Sequence, residues 1–481
     1  MRKHLSVTVI ALMIFFSPVF AVPHSSEFPS LEPYVIARMS DNPAPEEIMR
    51  TSLLLSEYPA VNVEPYMEKY REIEKQLRTR EFLSLSEEER ADFILKIMYD
   101  YVLLSYNKPQ TRLTTAFDTG VYNCVSSAIL YYCLAKSAGI EVYANRVPDH
   151  CFCTVIINGK HIDVETTNPM GFNPGQKKQI SSSKSGTKYA IMPKKIYNGR
   201  QTISARMLVS LIPQNVISYN ISTNDYATFV PVAAARRAFL YGGDERETSD
   251  GVQVFEVVAT NYNALLIRSK RYADSMSWMD AVVGRWGMSE GLKSDYEDSV
   301  FNAVLSLCEQ NDFDKAESEF NSRKSRLSKE SRKEIEEVIF LYGTNSRSMS
   351  LGSEEKAIDY LKEQMKNPLA QDAQIKKQLT GLLENAWIRR LNAESKKSGF
   401  LECAALSKKA LDDLPQSNKI KQYYQRSLNN YAVEVHNEFA KLANGGQYEK
   451  AMDVLKKGLE TVPGNQRLQS DMTQLRKIMR Q

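Results

Sequence analysis

Cys124 stands in the run Val121-Tyr122-Asn123-Cys124-Val125, where Asn123 suits the N-cap of a helix and Cys124 becomes its first residue. A thiol there faces the positive end of the helix dipole, which favours thiolate and therefore nucleophilicity. Taken alone, Cys124 reads more readily as a small packed residue, because cysteine is among the most buried types. His150 changes the weighing. It follows Pro148-Asp149 at the mouth of two strand-like runs, Cys151 to Ile157 and Lys160 to Thr166, joined by Asn158-Gly159. Asn-Gly between alternating runs is a strong signal for a two-residue hairpin turn.

Such a turn fixes the register. His150 faces Thr167, Phe152 faces Glu165 and Thr154 faces Asp163. Both acids then share the face of His150, with Glu165 as its diagonal neighbour at about 7 to 8 Å between backbones and Asp163 two strand positions further away. Glu165 is therefore the preferred acid to orient the imidazole, with Asp163 as runner-up. Strand alternation sends Cys151 and Cys153 to the opposite face, as core residues, and Cys133 lies about half a turn out of phase with Cys124 on the helix. A rival zinc site would gather Cys133, His150, Cys151, Cys153 and His161. It lacks a paired Cys-x-x-Cys spacing, and the alternation divides its members between faces.

The elements that must position these residues are a helix over 125–138, ended by Gly139, and three short strands, Ile140 to Val147 being the first. A helix followed by an antiparallel sheet is an α+β unit. Before it, residues 43 to 110 read as helices, one opened by a capping box of Ser86 and Glu89. After it, 171–201 is rich in Lys, Ser, Gly and Asn without apolar period, and reads as linker or exposed loop.

From about Thr202 helix follows helix. An aromatic residue opens the second helix of successive pairs at Tyr226, Tyr272, Phe313, Phe400 and Tyr448, with Glu354 as a degenerate copy in the longest gap. Three residues after several of these marks comes a small side chain (Ser275, Ala316, Ala357, Cys403, Ala451), and Pro368, Pro415 and Pro463 end three of the second helices. A small residue lets paired helices approach, the aromatic fills the space beside it, and proline stops the helix.

The chain opens with Arg2-Lys3-His4, an apolar run from Leu5 to Phe16, Pro18 and Val19-Phe20-Ala21. This pattern predicts a secretory signal peptide over 1–21, cleaved after Ala21; the alternative, an uncleaved anchor, needs an apolar run of roughly 20 residues, and this one is shorter. Export to a periplasm or the medium is the expectation, with no transmembrane segment after cleavage. The chain carries 62 Lys and Arg against 58 Asp and Glu, and two of the basic residues belong to the signal, so the charge balance argues against nucleic acid as a partner. Six cysteines over 481 residues do not make a disulfide scaffold.

Tyr122-Asn123-Cys124-Val125-Ser126-Ser127-Ala128, Ala138-Gly139-Ile140, Val147-Pro148-Asp149-His150-Cys151-Phe152 and Ile162-Asp163-Val164-Glu165-Thr166-Thr167 together resemble the transglutaminase-like superfamily. Gly446-Gln447-Tyr448-Glu449-Lys450-Ala451 through Pro463 resembles a tetratricopeptide repeat, although the spacing between marks exceeds the usual length and a generic α-solenoid stays open. The resemblance implies a papain-like core over 111–180, after a helical segment over 22–110, with a linker over 181–201 and tetratricopeptide-like repeats over 202–481. It implies Cys124 as nucleophile, His150 as base and an acid on the last strand as orienter, with no metal or organic cofactor. The family's usual aspartate is replaced by Glu165, an aromatic common after the histidine is replaced by Cys151, and no upstream residue is assignable to an oxyanion hole. The implied function is cysteine acyl transfer, amide hydrolysis before cross-linking, with the repeats binding a protein or peptide. The alternative is an inactive core in a repeat-based binding scaffold.

Overall fold

The computed structural model describes residues 28–181 and 188–480. The expected signal peptide lies outside the described residues. The chain divides into two compact units, residues 1–299 and 300–481.

In the first unit, α1 (Pro45–Leu54), α2 (Glu64–Glu74), α3 (Arg80–Ser84) and α4 (Glu87–Tyr101) form the helical segment read from the sequence. Ser86 and Glu89 make their reciprocal capping box at the start of α4. Strand β1 (Ser105–Tyr106), helix α5 (Leu113–Thr119) and strand β2 (Val121–Tyr122) follow, the two strands pairing in parallel. Then comes α6 (Cys124–Ser137), which is apolar around most of its circumference: only Tyr132, Lys136 and Ser137 are less than fully buried. A helix of that kind must be enclosed on all sides. It is packed by α1 and α4, by α7 (Ala205–Asn220), and by the sheet of β3 (Glu141–Val147) and β4 (His150–Ile157).

The sheet continues with β5 (Lys160–Val164) and β6 (Gln201–Ile203) in the antiparallel order β5-β4-β3-β6. Asn158 and Gly159 both take positive φ, 50° and 76°, as a type I′ turn requires, and Thr154 pairs with Asp163 in the register expected. The ladder ends at Val164, and Glu165 begins a tight turn in which its N–H donates to the Gly171 carbonyl at 2.9 Å. A Cβ on Gly171 would stand 1.9 Å from the Glu165 carbonyl oxygen, so only glycine closes this turn.

The segment read as a linker is built into this unit where it is described. Residues 201–203 pair with β3 as an edge strand, and a 3-10 turn over Lys194–Tyr197 packs Ile196 and Tyr197 on Val147 and Phe152. The reason is the second face of the sheet: without this segment the even-numbered residues of β4 would be left open to water. Helices α7, α8 (Tyr226–Leu240), α9 (Glu245–Arg268) and α10 (Tyr272–Trp286) belong to the same unit, so the compact boundary falls nearly a hundred residues beyond the expected start of the repeats.

The chain continues through α11 (Glu290–Glu309), within which the division falls, and the second unit holds α12 (Phe313–Arg323), α13 (Lys329–Ser350), α14 (Glu354–Gln364), α15 (Ala373–Glu394), α16 (Phe400–Asp413), α17 (Asn418–Asn444), α18 (Tyr448–Thr461) and α19 (Gln466–Ile478). Each helix from α12 on packs against the next, and the alternate members α13, α15, α17 and α19 also touch in series, the organisation of a helical repeat array. Every residue read as a repeat mark, Glu354 included, is the first residue of its helix. The small residues after the marks, Ala316, Ala357, Cys403 and Ala451, are buried. A further regularity lies two residues before five of the six marks: Asn224, Lys270, Asn311, Gly352 and Gly446 take positive φ, between 57° and 72°, whereas Ser398 before Phe400 does not. This left-handed turn reverses the chain between paired helices, and Gly352 shows that the Glu354 copy keeps it. No described helix is long and apolar enough to cross a membrane.

Candidate active site

Asn123 caps α6 by accepting from the N–H groups of Val125 at 2.9 Å and Ser126 at 3.2 Å. Its own amide donates to the Lys108 carbonyl at 3.0 Å, tying the helix start to the loop before α5. This leaves Cys124 as the first helical residue, as the sequence indicates, 4% exposed. His150 opens β4 and is 5% exposed; Glu165 just past β5 is fully buried.

His150 Nε2 lies 2.8 Å from Glu165 Oε2. The same carboxylate oxygen accepts from the Tyr197 hydroxyl at 2.9 Å, while Oε1 accepts from the Thr167 N–H at 3.1 Å and its hydroxyl at 2.6 Å. Four donors on one buried carboxylate fix its position and keep it charged. The turn carrying it is fixed to α6 through Thr166 and Ser127, whose hydroxyls lie 2.9 Å apart, and to the tyrosines Tyr99 and Tyr122, whose hydroxyls donate to the carbonyls of Thr166 and Thr167. The other imidazole nitrogen, Nδ1, is buried and without a hydrogen-bond partner, and the Cys124 thiol interacts with the same ring. One ring nitrogen is thus committed to the acid, and the other is free to exchange a proton.

Charges follow from this placement. Burial acts to raise the Glu165 carboxyl, but the His150 charge and the bonds from His150 and Thr167 outweigh it, and the group sits below its usual range. Burial likewise acts against a charged His150, but Glu165 first, and then Cys124, raise it to about 10. The Cys124 thiol is held well below its ordinary value: first by a hydrogen bond from the Cys151 thiol, then, against burial, by His150 and by the Cys151 backbone N–H. The thiolate and the imidazolium each favour the other.

Asp163, the runner-up acid, is engaged elsewhere. It accepts from the Thr154 hydroxyl at 2.8 Å and is paired with Arg200, whose Nη2 lies 2.8 Å away. These bonds end a polar row across the sheet, in which Thr202 donates to Asn145 at 3.1 Å and Asn145 to Thr154 at 2.8 Å. Cys151 and Cys153 lie on the helix-facing side, as the alternation indicates, and both are buried. That Cys151 would thereby be removed from the site does not hold, since α6 packs on that face of β4 and Cys151 is the largest influence on the Cys124 thiol. Cys133 is buried away from the imidazole and His161 is exposed. Among the described residues no three of His, Cys, Asp and Glu are gathered to hold a metal ion.

Sequence reasoning missed Tyr197, which sits in a segment with no periodicity to mark it. Thr167 was within the quoted motif, opposite His150, but its bonds go to Glu165. The phenols of Tyr106 in β1 and Tyr219 in α7 are pushed up, by burial first and next by the Cys124 charge.

No known protein family matches the chain, and no curated protein matches it. Among solved structures it is similar to a crystal structure of menin that reveals the binding site for Mixed Lineage Leukemia (MLL) protein, with a TM-score of 0.27 and 12% identity over 80% of this chain and 92% of that one. At that TM-score the likeness carries no argument about this chain.

Proposed function

We propose that this chain is a cysteine acyl-transfer enzyme with a papain-like core of the transglutaminase-like kind, acting on amide bonds outside the cytoplasm. The observation that carries the reading is the buried imidazole–carboxylate pair, His150 Nε2 to Glu165 Oε2 at 2.8 Å, with the buried Cys124 thiol and the ring each favouring the other's charged form. The Cys124 thiolate attacks a carbonyl carbon, the imidazolium gives its proton to the leaving amine, and the neutral imidazole then draws a proton from the water that resolves the thioester. Glu165 holds the ring in one orientation and favours its charged form. The Cys124 backbone N–H, at the helix start and not engaged by the Asn123 cap, is suited to steady the oxyanion. Hydrolysis is favoured over cross-linking by the resemblance to bacterial members of the superfamily, which are often proteases.

Residues 202–481 are read as tetratricopeptide-like repeats that bind a protein or peptide, and the expected signal peptide as the means of export. A small activated ester tests the chemistry without knowledge of the substrate. With p-nitrophenyl acetate, mass spectrometry should find one acetyl group on Cys124, lost in Cys124→Ala and persisting in His150→Ala once formed. Acetylation confined to lysines and unchanged in Cys124→Ala would instead favour the inactive core in a binding scaffold.

A further inference from the structure

We propose that Cys124 and Cys151 form a thiol–disulfide pair, an oxidation site at which a small disulfide converts the two thiols into an internal bridge and takes the nucleophile out of use. The proposal rests on Cys124 being a nucleophilic thiolate, as the acyl-transfer reading does, but requires no acyl transfer.

Packing brings the two sulfurs together. The Cys153 thiol donates to the Ala128 carbonyl at 3.5 Å, which fixes the helix-facing side of β4 against the second turn of α6. Two residues back along the strand, on the same face, is Cys151; four residues back along the helix, one turn earlier, is Cys124. The steps are about 6.6 Å along a strand and about 6 Å along a helix, so the two cysteines fall opposite each other. The two thiols also bear on each other's charge, Cys124 being lowered by Cys151 and Cys151 raised by Cys124. Both belong to one apolar cluster and both are free thiols. Cys133 and Cys153 also neighbour each other, but both are wholly buried and burial pushes each thiol up, so neither supplies the thiolate that starts exchange.

The chemistry balances with a disulfide R–S–S–R as oxidant. The Cys124 thiolate attacks one sulfur, forming a mixed disulfide and releasing R–S⁻, which takes up a proton. Cys151 then loses its proton and attacks the Cys124 sulfur, closing the Cys124–Cys151 bond and releasing the second R–S⁻. In sum the protein loses two hydrogens and two R–SH molecules form. Cys151 is the resolving thiol.

The test is to treat the reduced full chain with oxidised glutathione and map disulfides by mass spectrometry. The expected product is the Cys124–Cys151 bridge, with iodoacetamide labelling of Cys124 lost and restored by dithiothreitol. In Cys151→Ala, and in Cys151→Ser as the variant that keeps a hydroxyl at that position, the reaction should stop at glutathionylated Cys124. A wild-type product that also stops there, a bridge between Cys133 and Cys153, or no oxidation of a Cys124 that iodoacetamide still labels would each overturn the proposal. Acetylation of the reduced protein by p-nitrophenyl acetate reads the acyl-transfer reading separately, so failure of one is not failure of the other.

Discussion

His150→Ala should shift the pH dependence of Cys124 upward, toward that of an ordinary thiol. The informative quantity is the rate of iodoacetamide labelling at pH 6 divided by the rate at high pH within each variant. Absolute rates mislead, because a thiolate of higher pKa is intrinsically the better nucleophile and partly offsets its smaller population. In the wild type the ratio should approach one, since the thiol is held well below its usual value by Cys151 and then His150. In His150→Ala the thiol keeps its burial and Cys151 but loses the imidazolium, so the ratio should fall toward that of an ordinary thiol, whose midpoint near 8.5 leaves only about one part in 300 as thiolate at pH 6. A ratio unchanged by the substitution would mean that the imidazole does not hold the thiolate. Labelling of the other cysteines serves as the baseline: those of Cys133, Cys151 and Cys153 are pushed up, not down.

Glu165→Gln should have the second large effect, and through His150 rather than through contact with the thiol. The carboxylate is the largest influence raising the imidazole to about 10. Glutamine cannot supply that charge, and its single oxygen cannot accept from His150, Tyr197 and Thr167 as two carboxylate oxygens do. With only Cys124 left to oppose burial, the ring loses its proton at lower pH, and acyl transfer should fall on the order of 10² to 10⁴-fold, the usual worth of a positioned acid–base group. The unpaired donors should also cost about 1 to 3 kcal/mol of stability, read as a lower urea midpoint. Asp163→Asn is the contrast: that side chain is bound to Arg200 and Thr154, so the labelling ratio of Cys124 should stay near the wild-type value. Equal losses in both variants would show that neither acid is specific to the imidazole.

Most of the short-range geometry was legible in the residues because local chemistry fixes it. Asn123 before an apolar run is a cap wherever it falls, and Asn158-Gly159 selects a turn whose register then assigns Asp163 and Glu165 to positions. The choice of Glu165 over Asp163 also follows from that register, and the structure places Glu165 on the ring. What alternation could not reveal is the position of α6 across the sheet. A strand pattern says which face Cys151 occupies but not which helical turn covers it, so its contact with Cys124 was invisible. Tyr197 and β6 were hidden for a different reason. Their segment is polar on average because it covers a small apolar patch of Val147 and Phe152 with only a few side chains, too few to give a period. In the array, the aromatic and small residues marked helix starts because they must meet across each turn. The unit boundary inside α11 has no such local cause; it is a matter of how many contacts cross, which no residue announces.

The pH dependence of stability carries the same signature. His150 has its folded value raised from 6.5 to about 10, so its contribution is fully present below pH 6.5 and is lost as pH rises through 10. The most direct test of the account is the charge of that ring, measured by the nitrogen-15 shifts of His150 in the labelled protein across pH and assigned with His150→Ala. The account requires both ring nitrogens to carry protons at pH 8, with loss of a proton near 10 and a lower midpoint in Cys124→Ala. A ring that is already neutral at pH 8, in a protein whose Cys124 is still reduced, would contradict it.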